Sequence, residues 1–153
     1  MLVALDTCVL AGVEDGDDDE KVLHQVRTLV MLRESLIVGQ AQLLLDDQYR
    51  IGKEYERVLT PSAGLGAKLV RSAYKNNWVY SSSARAKATC LEALKRITFD
   101  PPDRVFVAVA AVAGGIYVTS EEKHLTPERR EAVFRVCGVR ILSPDELPPL
   151  LGV

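Results

Sequence analysis

Two stretches of this chain place carboxylates beside strongly apolar runs, where acids are hardest to bury. Residues 100–125 read DPPDRVFVAVAAVAGGIYVTSEEKHL: Asp100 and Asp103 open an alanine-rich run, and Glu121 and Glu122 follow a short β-branched one. Near the N-terminus, LVALDTCVL sets Asp6 between Leu5 and Val9-Leu10. Carboxylates gathered within a few ångströms repel each other, and desolvation penalises their charged form further. A divalent cation removes that penalty. An oxygen-lined pocket suits Mg²⁺ or Mn²⁺ rather than zinc, for which the chain has no His or Cys pair at the required spacing. Such an ion generates hydroxide from bound water and stabilises charge on a phosphodiester during displacement, so metal-dependent phosphodiester hydrolysis is the chemistry these residues fit.

The elements that would position the acids follow from periodicity. Leu2 to Leu5 reads as a strand ending at Asp6, Ala41 to Leu45 as a second, Ile116 to Thr119 as a third and Val139 to Leu142 as a fourth. Helical patterns occupy residues 19–37 (with Val22, Leu23, Val26, Leu29, Val30 and Leu36 apolar), 51–59, 65–75, 84–97, the run after Asp103, and 128–136. Gly114-Gly115 and Gly138 stop the last two, and Ser143 with Glu146 forms a capping-box pattern. Strands alternating with helices imply a parallel sheet covered on both faces, and no repeat or linker divides residues 1–153, so a single α/β domain is expected. In such sheets ligands bind outside the carboxyl ends of the strands. Asp6 and Glu121-Glu122 directly follow strands, Asp103 opens the helix feeding the third strand, and Glu54 lies in the helix after the second.

Each candidate also has a plain structural role available. Asp6 could simply end a strand, Asp103 could N-cap a helix, Glu54 could pair with Arg50 or Arg57, and either of Glu121 and Glu122 could be a first-turn helix acid. Thr7 and Thr119 are small hydroxyl residues beside the acids, suited to supporting them and equally common at strand ends. The acidic run DGDDDE at 15–20 fails the calcium-loop pattern, because position 12 counted from Asp15 is Val26, and it reads as a solvated loop.

Composition narrows the class. A length of 153 residues suits one domain of the usual ~100–150. The longest nearly uncharged run, Val105 to Ser120, contains a Gly-Gly break and falls short of the ~20 apolar residues a membrane span needs. MLVALDTCVLAG has no basic region and does not fit a secretory signal. Cys8, Cys90 and Cys137 are odd in number and far apart, which suggests core thiols, no disulfide framework, and a reducing cytoplasm. The net charge of −2 hides an asymmetry: residues 1–20 carry seven acids and no Lys or Arg, whereas residues 68–104 carry eight bases against three acids. That segment, which ends in Arg104, could face a polyanion or form solvated helix faces. Trp78, Tyr74 and Tyr80 could stack on unpaired bases, although packing under the neighbouring helices is the favoured reading for Trp78. His24 and His124 read as structural or exposed residues, and His124 lies near enough the acids for a substrate contact as an alternative.

At these residues the chain resembles the PIN domain family. LDTCVLAG at 5–12 is similar to the opening strand of those domains, KEYERVL at 53–59 to their glutamate-bearing helix, FDPPDRVFVAVA at 99–110 to their third motif, and VTSEEKHL at 118–125 to their fourth; GVRILSPDEL resembles the closing strand and helix. The motifs occur in order across nearly the whole chain. The resemblance implies a three-layer α/β/α sandwich, ribonuclease activity, and Mg²⁺ or Mn²⁺ held by Asp6, Glu54, Asp103 and Glu121, with Glu122 as the alternative fourth acid. It also implies RNA as substrate, an antitoxin protein as inhibitor, and a homodimer. Cys8 replaces the usual asparagine and Glu121 the usual aspartate. These departures motivate a second expectation, a PIN-like module that works by binding alone. A phosphoacceptor receiver domain, with Asp46 or Asp47 as acceptor, fits less well, because Asp6 lacks the paired acid such domains carry.

Overall fold

The computed structural model of the chain describes residues 1–12, 18–61 and 64–152. Five strands, β1 (Leu2–Leu5), β2 (Gln42–Asp46), β3 (Val79–Ser82), β4 (Ile116–Val118) and β5 (Ile141–Leu142), form one sheet in the order β3-β2-β1-β4-β5. All four pairings are parallel, with Val3 opposite both Leu43 and Ile116. The helices are α1 (Thr7–Ala11), α2 (Asp19–Ile37), α3 (Arg50–Leu59), α4 (Leu65–Lys75), α5 (Ala88–Arg96), α6 (Arg104–Ala113), α7 (Glu122–Leu125) and α8 (Pro127–Cys137). The fold is α/β, as expected, and the arrangement is that of an α/β/α sandwich. From β1 to β3 the chain moves one way across the sheet; from β3 to β5 it moves back. Right-handed crossovers therefore put α1–α4 on one face and α5–α8 on the other. Contacts agree: α1 packs on α3 and α4, whereas α5 packs on α6 and α8.

The direction of winding reverses between β1 and β4. That is the switch point at which the carboxyl ends of two neighbouring strands lead to opposite faces and leave a crevice. The floor beneath it is dry: Val3, Ala4 and Leu5 are fully buried, and α6 lies across β1, β2 and β4 with Phe106 to Ala110 inside. Small residues on α6 allow that close approach. Gly66 allows another, since a Cβ there would stand 2.4 Å from the Leu10 carbonyl oxygen, so α4 can lie against α1 only with glycine at this position.

Several expectations are corrected. The Trp78–Ser83 stretch contains an edge strand, β3, that alternation too short and too polar did not reveal. The 84–97 helix begins as a 3₁₀ turn at Ala84–Lys87. The buried face of α2 is offset from its apolar stripe: Gln25, Thr28 and Ser35 are buried, whereas Leu23 and Val30 are exposed. The cause is tertiary, because α2 packs on α4 and on the 3₁₀ turn Pro144–Glu146, to which Thr28 Oγ1 donates a hydrogen bond at the Pro144 carbonyl, 2.8 Å away. Cys90 and Cys137 are joined as a disulfide between α5 and α8, so only Cys8 is a free thiol. Nothing local announces this pairing, since the two are 47 positions apart and meet only through the packing of two helices. The inference of a reducing compartment rested on unpaired thiols and loses that ground. Among the described residues no helix is long and apolar enough to cross a membrane. Within the acidic 15–20 run, Asp15 and Asp17 lie outside the described residues, and Asp18 caps α2 by accepting from the Glu20 and Lys21 amides.

Candidate functional site

Asp6 leaves β1 at the switch point. Its amide donates to the Val118 carbonyl of β4 at 2.9 Å, continuing the sheet ladder one residue past the strand, and its side chain turns back to cap α1. The carboxylate is buried and accepts four hydrogen bonds. Oδ2 takes Tyr117 Oη at 2.6 Å and Thr119 Oγ1 at 2.8 Å; Oδ1 takes the Cys8 amide at 3.3 Å and Thr7 Oγ1 at 3.4 Å. The two β4 donors reach it because Tyr117 and Thr119 alternate onto one face. Tyr117 is fully buried, and burial first, then the charges of Asp6 and Asp103, push its phenol well above its ordinary range. One hydroxyl thus stands in the field of two of the expected acids.

Thr7 Oγ1 also lies 3.3 Å from Glu54 Oε1, so a single hydroxyl links the acid of β1 to the acid of α3. The orientation of α3 comes from its neighbour Tyr55, whose hydroxyl donates to the Leu5 carbonyl at 2.6 Å in the core. Glu54 pairs with Arg57 at 3.2 Å, one of its two expected partners. Asp46 caps α3, accepting from the Arg50 and Ile51 amides at 3.0 and 2.8 Å, which fully explains this buried acid without chemistry.

Asp103 stands at the start of α6, but its side chain makes no capping hydrogen bond. Its Oδ2 meets His124 Nε2 at 2.8 Å instead. A carboxylate only accepts, so Nε2 carries the hydrogen, and the other ring nitrogen, Nδ1, is buried without a partner. The ring stacks on Phe99 with centroids 4.2 Å apart. Glu121 precedes α7, its amide bonded to Thr119 Oγ1 at 3.1 Å and its carboxylate 3.9 Å from Lys123 Nζ. Glu122 turns to a different cleft, of about 380 Å³, lined also by Asp18, His24 and Ser143. The two candidate fourth acids thus face different surroundings.

The expected ligands are not drawn onto one point. Among the described residues, the one set of three whose ligand atoms all lie within 4.8 Å of one another is Asp100, Asp103 and His124. Asp6 and Glu54 are tied together on one side by Thr7, Asp103 is turned to His124 on the other, and the Tyr117 hydroxyl stands near both aspartates. Cys8 contacts the Ser120 hydroxyl at 3.1 Å and its amide at 3.4 Å and lies 3.5 Å from Thr119 Oγ1. Burial, then the charge of Asp6, pushes its thiol up to about 11, so it is protonated at neutral pH and offers no soft ligand.

Beside Glu54 opens a cleft of about 460 Å³, walled by Arg50, Arg85, Lys95 and Arg104 and floored in part by Phe106. Three of these bases come from the basic segment. Arg104 is held by its Nε bond to the Phe99 carbonyl at 2.8 Å. Trp78 packs against the core, whereas Tyr74 and Tyr80 are exposed. Sequence reasoning passed over Tyr117 and Lys123 and took His124 as a structural or exposed residue, with a substrate contact as the alternative. The position of Tyr117 two residues before Thr119 on a strand was a usable signal; the meeting of His124 with Asp103 had none. No family model matches the chain, and comparison with curated proteins and with solved structures finds no match.

Proposed function

We propose that this chain is a PIN-like endoribonuclease dependent on Mg²⁺ or Mn²⁺, acting as the toxin of a toxin–antitoxin pair. The observation that carries the reading is the Thr7 hydroxyl, shared between Asp6 and Glu54 from elements 47 residues apart, at the edge where the sheet reverses. The donors fit a hard cation: Asp6, Glu54, Asp103 and Glu121 supply carboxylate oxygens, and the one free thiol is protonated. By the PIN resemblance those four acids would hold the ion, drawn together from the separate groups in which they stand here. Bound there, it would lower the pKa of a water molecule and offset charge on the scissile phosphate. The chain's own groups do the rest. Arg50, Arg85, Lys95 and Arg104, set against Asp46, Asp47 and Glu54 in the same cleft, would contact an RNA backbone. Thr7 and Thr119 support the acids, and Glu122, the alternative fourth acid, lines the other cleft. Hydrolysis adds the water oxygen to phosphorus and breaks one P–O ester bond, leaving a phosphate monoester and a free hydroxyl. The antitoxin and a homodimer belong to this reading through the PIN resemblance.

The saturation of Asp6 by four protein donors favours a second reading, in which the module binds RNA or protein without turnover. Asp6→Asn separates the two. The nuclease reading expects Mn²⁺-dependent cleavage of RNA by the wild type and its loss in a variant with an unchanged circular dichroism spectrum. Wild-type protein that binds RNA but leaves it intact with either metal supports the module instead.

A further inference from the structure

Helix α2 turns polar residues inward and apolar ones outward. Gln25, Thr28 and Ser35 are buried, whereas Leu23, Val30 and Ile37 are 68, 41 and 48% exposed. The three exposed residues recur at every seventh position, a heptad spacing that keeps them on one side of the helix. That side is opposite Thr28, Leu32 and Ser35, which face the core. Arg27 and Glu34 run along one flank of the stripe, and Val26 and Arg33 along the other. Arg27, Arg33 and Glu34 are exposed, and among the described residues the side chains of Arg27 and Glu34 have no partner. An apolar stripe rimmed by charge adds nothing to the chain's own core and marks a contact surface.

We propose that the outer face of α2 binds a second copy of this chain, the two helices lying antiparallel about a two-fold axis beside Val30. In that arrangement the face is complementary to itself, as a two-fold interface requires. Leu23 and Ile37 lie seven residues to either side of Val30, so reversal sets each Leu23 against the other copy's Ile37 and Val30 against its counterpart. Arg27 and Glu34 lie on either side of Val30 at ~4.5 and ~6 Å along the helix axis, from the rise per residue. The same reversal therefore brings Arg27 of each copy beside Glu34 of the other, as two ion pairs related by symmetry. On the opposite flank the half-buried Val26 meets the aliphatic stem of the other copy's Arg33. Parallel helices would instead set Arg27 against Arg27 and Glu34 against Glu34. Contact along one helix of ~28 Å buries less than a standard interface, so the dimer is a dissociable one. This pairing follows from α2 alone and stands whether or not the chain cleaves RNA.

Sedimentation equilibrium of the whole chain tests this. The wild type is expected to be a dimer that dissociates on dilution. Val30→Asp, at a position with little packing to lose, is expected to be monomeric with an unchanged circular dichroism spectrum. Arg27→Glu and Glu34→Arg each turn both ion pairs into repulsions, and each is expected to weaken self-association by roughly tenfold. An equimolar mixture of those two variants is expected to recover it, because every pair between unlike copies is again of opposite sign. A wild type that stays monomeric at every concentration overturns the proposal. So does a dimer indifferent to all three substitutions, or a mixture that associates no more tightly than its components. A monomer that sediments with phosphatidylcholine vesicles assigns the stripe to a lipid surface and overturns it as well.

Discussion

His124 Nε2 stands 2.8 Å from Asp103 Oδ2, and the imidazole that makes this contact is almost wholly buried against Phe99. The bond accounts for why Asp103, placed at the head of a helix, does not cap it. A buried ring that donates to a carboxylate fixes the orientation of that carboxylate, and loss of such supporting groups typically costs ~10–100-fold in metal affinity. On the nuclease reading, His124→Leu should therefore weaken Mn²⁺ binding by about that factor, while His124→Gln, which retains a side-chain N–H, should recover part of it. Equal affinities for the His124→Leu variant and the wild type would reduce the ring to packing.

The disulfide between Cys90 and Cys137 closes a loop across 47 positions and clamps α5 to α8. In the chain-entropy picture a loop of this size stabilises by about 4 kcal/mol, through restriction of the unfolded chain. The double substitution Cys90→Ala with Cys137→Ala should lower stability by about 2–5 kcal/mol in urea titrations. Both sulfurs are buried, so mass spectrometry should find the pair resistant to alkylation until the protein is denatured and reduced.

Glu146 binds Arg130 at 2.9 Å and the Ser143 amide and hydroxyl at 2.7 and 2.8 Å, pinning the turn after β5 to α8. Burial works against its charge, but the bonds from Arg130 and Ser143 outweigh it and hold the carboxyl below the usual range. A carboxyl depressed by folding stabilises at pH above its unfolded value and loses that contribution as pH falls through the folded one. Glu146→Gln should melt lower than wild type at pH 7, and the two melting curves should converge as the pH drops below about 4. A gap that persists undiminished to about pH 3 would show that the charge is not its source.

Thr98 adopts φ +53° where α5 ends and the chain turns toward Asp100. A β-branched residue in the left-handed region is strained by roughly 1–2 kcal/mol, and Thr98 is exposed, with no packing to lose. Thr98→Gly should raise the thermal midpoint by a few degrees, offset in part by the greater freedom of glycine in the unfolded chain.

How much of this was readable in advance depended on whether the cause was local. Four of the five strands, the stop at Gly114 and the capping box at Ser143 and Glu146 were legible, because each follows from alternation or turn chemistry within a few residues. The offset face of α2 was not, since the partner that buries Thr28 is Pro144, 116 positions away. At the candidate site, Asp6, Thr7, Thr119, Glu121 and Glu122 were singled out from their positions at strand ends, and Glu54 and Asp103 from theirs on neighbouring helices. The groups that decide how the acids behave were not: Tyr117 on Asp6, His124 on Asp103 and Lys123 on Asp100 are each pairings across the fold between residues whose sequence neighbourhoods call for nothing special.

The ladder bond from the Asp6 amide to Val118 means that the first acid is part of the sheet rather than an appendage of it. Its position is as immovable as the central strands, and on the nuclease reading any adjustment on metal binding must come from the outer partners, Glu54 on α3 and the segment from Asp100 to Arg104. In hydrogen-exchange experiments the Asp6 amide should accordingly open only with global unfolding, while amides of that outer segment exchange through small local fluctuations.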